Sequence, residues 1–359
     1  MSEAGPAAVN ARLAQIAGSV LGLLALAHAL VAAAGLKHVG PVRWPTDLYA
    51  LGLVMPAEVD LLVLGSSRST FGLAPTAIDP CLGARLGRPT HTWSWSRANA
   101  SLWSQRLVAR EALARTRPGV VVIEVAPEMM SPHHYEHGWN SVTEADPRDI
   151  PSCLQGADGV DGWSDCLYPL VRPLDNLVRS AERARIEPPH LRWMALFARG
   201  GQFCFGTPAC AAHNARFEVR LDHRWGDRLA EVIPKVRAER FRDYAVGPPH
   251  TDAMVELLDE VEAVGARALL VRMPVHEVYA AEIPAEAEAA FSAYLGALVE
   301  ERGLTLVDAD RWWRGDRARF HDPDHLSPVG ALELSRALCA AAAPLLEQRG
   351  AGAPTTAKE

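Results

Sequence analysis

The sequence predicts an α/β protein: a parallel sheet with helices on both faces, preceded by an apolar N-terminal segment and interrupted by a partly helical insertion. Four short apolar runs, Asp60–Leu64, Val120–Ile123, Ala268–Val271 and Leu304–Val307, read as strands buried on both faces. Segments with helical spacing separate them, and strands alternating with helices along one chain favour a parallel sheet. The uncharged run Leu13–Leu36 exceeds the roughly 20 apolar residues that a bilayer-spanning helix needs.

Composition narrows the function classes. With 359 residues, 49% hydrophobic and 22% charged, the chain has ample material for a core and is not a disordered sequence. Lys+Arg 36 against Asp+Glu 43 gives a net charge of −7, and with no basic tract to neutralise a phosphate backbone, nucleic acid is not an expected partner. Only three lysines occur, Lys37, Lys235 and Lys358, and neither Gly-Lys-Ser/Thr nor GxGxxG is present. P-loop and dinucleotide chemistry are therefore disfavoured, and no cofactor is expected. The six cysteines are too few for a disulfide scaffold and form no CxxC pairs.

In chain order, residues 1–12 read as a cytoplasmic N-terminus and 13–36 as a transmembrane anchor or signal segment. For a cleaved signal, Arg12 closes the n-region and Ala32-Ala33-Ala34 resembles a cleavage site. Arg12 before the segment and Lys37 and Arg43 after it give little orientation bias. Either export reading puts the body outside the cytoplasm. After a linker at 37–55, one catalytic domain is expected from 56–130 and 247–346, with an insertion or lid at 131–246 and a flexible tail at 347–359. Ser101–Arg115 places Trp103, Leu107 and Ala114 at helical spacing. Thr251–Val264 is a second helix, with Thr251 as its cap and Met254, Leu257, Leu258 and Val261 on one face. Ser327 as cap and Pro328 at the first helical position open a third, whose stripe is Leu334, Leu338, Ala341 and Leu345. The insertion holds Trp139, Trp163, Trp193 and Trp225 and four cysteines. The pairs Cys204–Cys210 and Cys153–Cys166 suit disulfides in an exported protein, free buried cysteines being the alternative.

Two short constellations can carry chemistry. The first strand runs into Gly65-Ser66-Ser67-Arg68-Ser69. Gly65 permits a sharp turn, and a serine just beyond it projects into the crevice at the carboxyl ends of the strands, where ligands of open α/β sheets bind. A Ser-rich turn is the plain structural alternative. Near the C-terminus, Asp322 and His325 lie three residues apart in a Pro-containing loop leading into a helix. At that spacing a carboxylate can accept from the imidazole Nδ1–H while Nε2 takes a proton from a serine; a capping aspartate beside a surface histidine is the alternative. His133, His134, Glu136 and His137 form a cluster with metal-ligand chemistry but read as loop histidines, and no metal site is assigned to them.

Taken together, a nucleophile block after the first strand and Asp-x-x-His before the last helix resemble the SGNH/GDSL hydrolase superfamily. The resemblance implies a flavodoxin-like three-layer α/β/α sheet and a Ser67–His325–Asp322 triad. LLVLGSSRSTFGLAPTAID, RPGVVVIEVAPEMM, ARALLVRMP, LVDADRWW and FHDPDHLSPVGA are similar to the membrane-anchored acyltransferase-like branch. That branch includes periplasmic alginate O-acetylation proteins and the D-alanyl-lipoteichoate transfer protein. The resemblance covers about residues 56–130 and 250–345. Ser66 stands where the family has Asp, and His91–Asn99 has no glycine for the oxyanion hole. Asn99 and the amide of Arg68, beside that of Ser67, are the donors left for an oxyanion, with a helix cap as the alternative for Asn99; the Arg68 side chain could bind an anionic substrate group, with a solvated loop arginine as the alternative. The resemblance further implies O-acylation of a cell-surface polysaccharide or glycolipid by a single-pass protein of the cell membrane, its catalytic domain in the periplasm or extracellular space. A multi-spanning membrane acyltransferase is the implied partner. An esterase with the same triad and an inactive scaffold in a membrane complex are the alternatives. An α/β-hydrolase elbow fits less well, because Ser69 occupies the position of its second glycine.

Overall fold

The computed structural model describes residues 55–96, 99–131, 202–218 and 221–352, together with three helical positions at Ser19, Gly22 and Leu26. The rest of the 13–36 segment, the His133–His137 cluster and the Cys153–Cys166 pair lie outside the described residues.

The apolar runs become strands as expected: β1 (Leu61–Leu64), β3 (Val120–Val125), β4 (Arg267–Arg272) and β5 (Thr305–Asp308). A further strand, β2 (Thr92–Ser94), pairs with β1 at the edge. All five are parallel, in the order β2-β1-β3-β4-β5.

The period-2 alternation of these strands divides the core into two. Leu62, Leu64, Val121, Ile123 and Leu270 pack against α3 (Leu102–Leu113), α6 (His250–Ala263) and α8 (Ala285–Arg302). Leu61, Val63, Val120, Val122, Leu269 and Val271 face the other way, onto α2 (Pro75–Leu86) and α9 (Pro328–Gly352). A sheet between two helical layers is the result, and each layer removes one complete strand face from water. Short α1 (Ser67–Gly72) follows β1 directly.

Local signals at the helix ends held in part. Ser327 Oγ accepts from Gly330 N–H and Pro328 opens α9. That helix continues to Gly352, past the boundary expected at 346; its packing on the sheet runs to the expected boundary, with Ala342 and Leu346 buried beside Leu334 and Leu338, Ala341 and Leu345 at the margin, and Glu347 and Gln348 exposed. α6 begins at His250 with Pro249 at its cap, so Thr251 sits in the first turn and caps nothing. Among the described residues, Pro328–Gln348 is the one stretch long and apolar enough to cross a membrane. Half of its most apolar window is buried inside the protein, as the sheet-covering role of α9 requires.

The described part of the insertion is helical, with α4 (Pro208–Glu218) and α5 (Leu221–Glu231), and the expected Cys204–Cys210 disulfide precedes and enters α4. A second disulfide, Cys81–Cys339, joins α2 to α9 across 258 residues. The segment containing Asp322 and His325, expected as a loop, is a two-stranded antiparallel ribbon, β6 (Phe320–Asp322) and β7 (His325–Leu326). α5 packs on β6, and short α7 (Glu277–Ala280) follows β4 beside the ribbon, with His276 N–H donating to Pro323 O.

Candidate active site

The chain leaves β1 through a turn organised by one carboxylate. Glu124, near the end of β3 and completely buried, accepts from Ser66 N–H at 2.7 Å, Ser66 Oγ at 2.6 Å, Ser69 N–H at 3.1 Å and Ser69 Oγ at 2.6 Å. A buried carboxylate is costly unless its oxygens are satisfied, and here four donors do so. Gly65 is required by this packing: a Cβ at that position would lie 2.2 Å from Ser69 Oγ and 2.6 Å from Glu124 Oε2. Ser66 caps α1, its Oγ accepting from Arg68 N–H at 3.1 Å. These bonds use the amides of Ser66, Arg68 and Ser69 and leave out the Ser67 N–H at the start of α1.

Ser67, the first residue of α1, meets the ribbon. Its Oγ lies 2.8 Å from His325 Nε2, across 258 residues of sequence. His325 Nδ1 donates to Asp322 Oδ1 at 2.8 Å, and Asp324 Oδ1 is 3.4 Å from the same nitrogen. The imidazole is almost fully buried, with the Phe71 ring tilted against it at a centroid distance of 4.7 Å. Asp322 Oδ1 also accepts from Asp324 N–H at 3.1 Å, which fixes the tight turn between β6 and β7.

Charge controls the state of this histidine. Burial alone favours the neutral ring, but Asp322 and Asp324 outweigh it and raise the His325 pKa to about 9. Burial likewise opposes ionisation of Asp324, yet His325, Arg228 and Arg68 hold its carboxyl well below the ordinary aspartate range. Below about pH 9 the contact with Ser67 therefore runs from an imidazolium N–H to the hydroxyl oxygen, and it reverses once the ring is neutral.

No family model and no curated protein matches the chain.

Ser67, Asp322 and His325 are brought together, and Asn99 and Arg68 take other places than the alternatives foresaw. Asn99 does not cap α3: Ser101 does, its Oγ accepting from Ser104 N–H at 3.2 Å. Asn99 instead takes a left-handed φ of 56°, which asparagine tolerates, five residues beyond β2. Arg68 is not solvated. Its side chain is buried against Glu128, its guanidinium carbon sits 4.7 Å above the Tyr279 ring, and its N–H is the one bonded to Ser66. The Arg68 amide, one of the donors expected for an oxyanion, is thus already engaged in the cap of α1. Tyr279 donates to Glu128 Oε1 at 2.9 Å and accepts from Arg240 Nη1 at 2.7 Å, completing a buried charged cluster beside the nucleophile. Burial pushes Glu128 up, but Arg68 and Arg240 prevail and hold it down to about 2.

Glu124, Asp324 and the Arg68–Glu128–Tyr279–Arg240 cluster carry little sequence signal. The clearest is one carboxylate inside the run Val120–Val125, a position that only a set of donors makes tolerable. Asp322, Asp324 and His325 are close enough to hold a cation. Asp322 Oδ2 and Asp324 Oδ1 already face Arg228, at 3.5 Å and 3.8 Å. A cavity of about 850 Å³ lined by Asp60, Arg88, His91, Arg115 and Arg117 opens at the amino ends of the strands, away from this chemistry.

Proposed function

We propose that this chain is an SGNH-type serine acyltransferase acting outside the cytoplasm. The observation that carries the reading is the continuous Ser67–His325–Asp322 hydrogen-bond chain, with 2.8 Å at each link. Such a chain deprotonates a serine hydroxyl and stabilises the imidazolium that results. In the first half-reaction, His325 Nε2 takes the Ser67 proton as Oγ attacks the carbonyl carbon of an ester or thioester. The ester C–O or thioester C–S bond breaks, and the imidazolium returns the proton to the leaving group. In the second, an acceptor hydroxyl gives its proton to Nε2 and attacks the acyl carbon; the bond to Ser67 Oγ breaks, and the imidazolium returns the proton to Oγ, which frees the serine. The Ser67 N–H and the Asn99 side chain are the donors we assign to the tetrahedral oxyanion.

The strand order β2-β1-β3-β4-β5 supports a flavodoxin-like reading of the sheet, in which β1 ends where such sheets bind ligands. Two disulfides suit an oxidising compartment. The reading includes a single membrane span at 13–36, a polysaccharide or glycolipid acceptor and a multi-spanning partner. One span cannot carry an acyl donor across a bilayer, so a partner must deliver it.

Labelling by a fluorophosphonate probe tests the chemistry. Strong labelling that is lost in Ser67→Ala and falls about 10⁴-fold in His325→Ala is expected. Absence of labelling in the wild-type protein would leave the inactive scaffold. Acid release from an activated ester at a rate unaffected by any sugar acceptor would make the protein an esterase instead.

A further inference from the structure

The insertion reaches the site through α5. Trp225 anchors it, packed in the core beside α9, edge-on to His276 at 4.9 Å and under the Arg317 guanidinium at 5.0 Å. Arg228, three residues on and so on the same helix face, lies 3.5 Å from Asp322 Oδ2 through Nε and 3.8 Å from Asp324 Oδ1 through Nη2. No hydrogen bond reaches either of those two buried oxygens. Both carboxylates sit on the Nδ1 side of one imidazole, at 2.8 Å and 3.4 Å. Two like charges in that space repel, and each competes for the same N–H.

We propose that α5 is part of the catalytic apparatus and that Arg228 is a positioning residue: its guanidinium spans Asp322 Oδ2 and Asp324 Oδ1, the oxygen that competes for Nδ1–H, offsets the second negative charge and leaves the Nδ1–H bond to Asp322. The inference rests on the triad chemistry proposed above. Around the imidazole stand Asp322 and Asp324 of its own ribbon, Ser67 and the Phe71 ring of α1, and Arg228 of α5. Arg68 and Arg240 act on Asp324 from farther away. Without Arg228 the two carboxylates hold the imidazole proton more tightly, and less neutral base is present at a given pH.

The test follows the acid limb of the pH–rate profile for labelling and ester turnover, with NMR titration of the His325 imidazole as a readout that needs no turnover. Arg228→Gln should lower kcat about tenfold at neutral pH with KM unchanged and raise both the limb and the imidazole titration by about one pH unit. Arg228→Lys should recover most of the rate. Asp324→Asn should move both readouts down by a similar amount, and the double variant should return close to wild type. Unmoved limb and imidazole titration in Arg228→Gln would overturn the inference. If that variant does not fold, Asp324→Asn decides, and an unshifted titration there overturns it equally. A wild-type protein that never labels defeats the proposed function, and the imidazole titration then judges the role of Arg228 alone.

Discussion

Glu124 satisfies four donors of the turn that presents Ser67, so its removal strands two amides and two hydroxyls in a buried place. Glu124→Ala should destabilise the protein by about 3 kcal/mol or more and lower the labelling rate, as urea unfolding and probe kinetics would register. The histidine gives a second prediction. With a pKa near 9, His325 becomes a base only as the pH rises, so turnover should climb through neutrality toward about pH 9. A rate flat from pH 6 to 9 would show that the imidazole is already neutral. Ser67, Asp322 and His325 were legible because a glycine after a strand and an Asp-x-x-His spacing each state a local geometry. Asp324 and Arg228 were not, since their importance exists only when three separate segments meet around one ring.

Elements were legible to different depths for equally physical reasons. Runs such as Val120–Val125 announce strands buried on both faces, whereas Thr92–Ser94 is three residues with two hydroxyls and becomes a strand only because β1 offers it an edge. The β1–α1 junction makes the sharpest prediction at this scale. Gly65→Ala forces a methyl group onto Ser69 Oγ and Glu124 Oε2, neither of which can retreat without losing a hydrogen bond. A loss of about 1–3 kcal/mol in unfolding free energy is expected, with a larger fractional loss of labelling because the turn itself is displaced. The union of α2 and α9 by Cys81–Cys339 could not be read from spacing, since paired cysteines so distant in the chain carry no local signature. Breaking it by Cys81→Ser should cost on the order of 2–5 kcal/mol, the usual range for removal of a native disulfide.

Across the molecule, the charges that prepare the site also link it to stability. The His325 pKa is raised in the folded protein, so its contribution is fully present below the unfolded value of about 6.5 and lost as pH rises through about 9. Catalysis should therefore improve over the same interval in which this stabilising term fades. Thermal unfolding of wild type against His325→Ala measures it: the Tm advantage of wild type should shrink from pH 6.5 to 9, and a gap independent of pH would refute it. Glu128, held down to about 2, and Asp324, also depressed, act in the opposite sense, stabilising above the ordinary carboxylate range and losing that effect on acidification.

Cys81 and Cys339 each lie fourteen positions beyond a reacting residue, Ser67 and His325 respectively. A protease that severed the polypeptide once within the insertion would thus yield two fragments still joined by sulfur, with nucleophile and base on opposite pieces of one covalent assembly. Such a nicked protein should migrate as a single band until a reductant is added, and it should keep its reactivity toward the probe up to that moment.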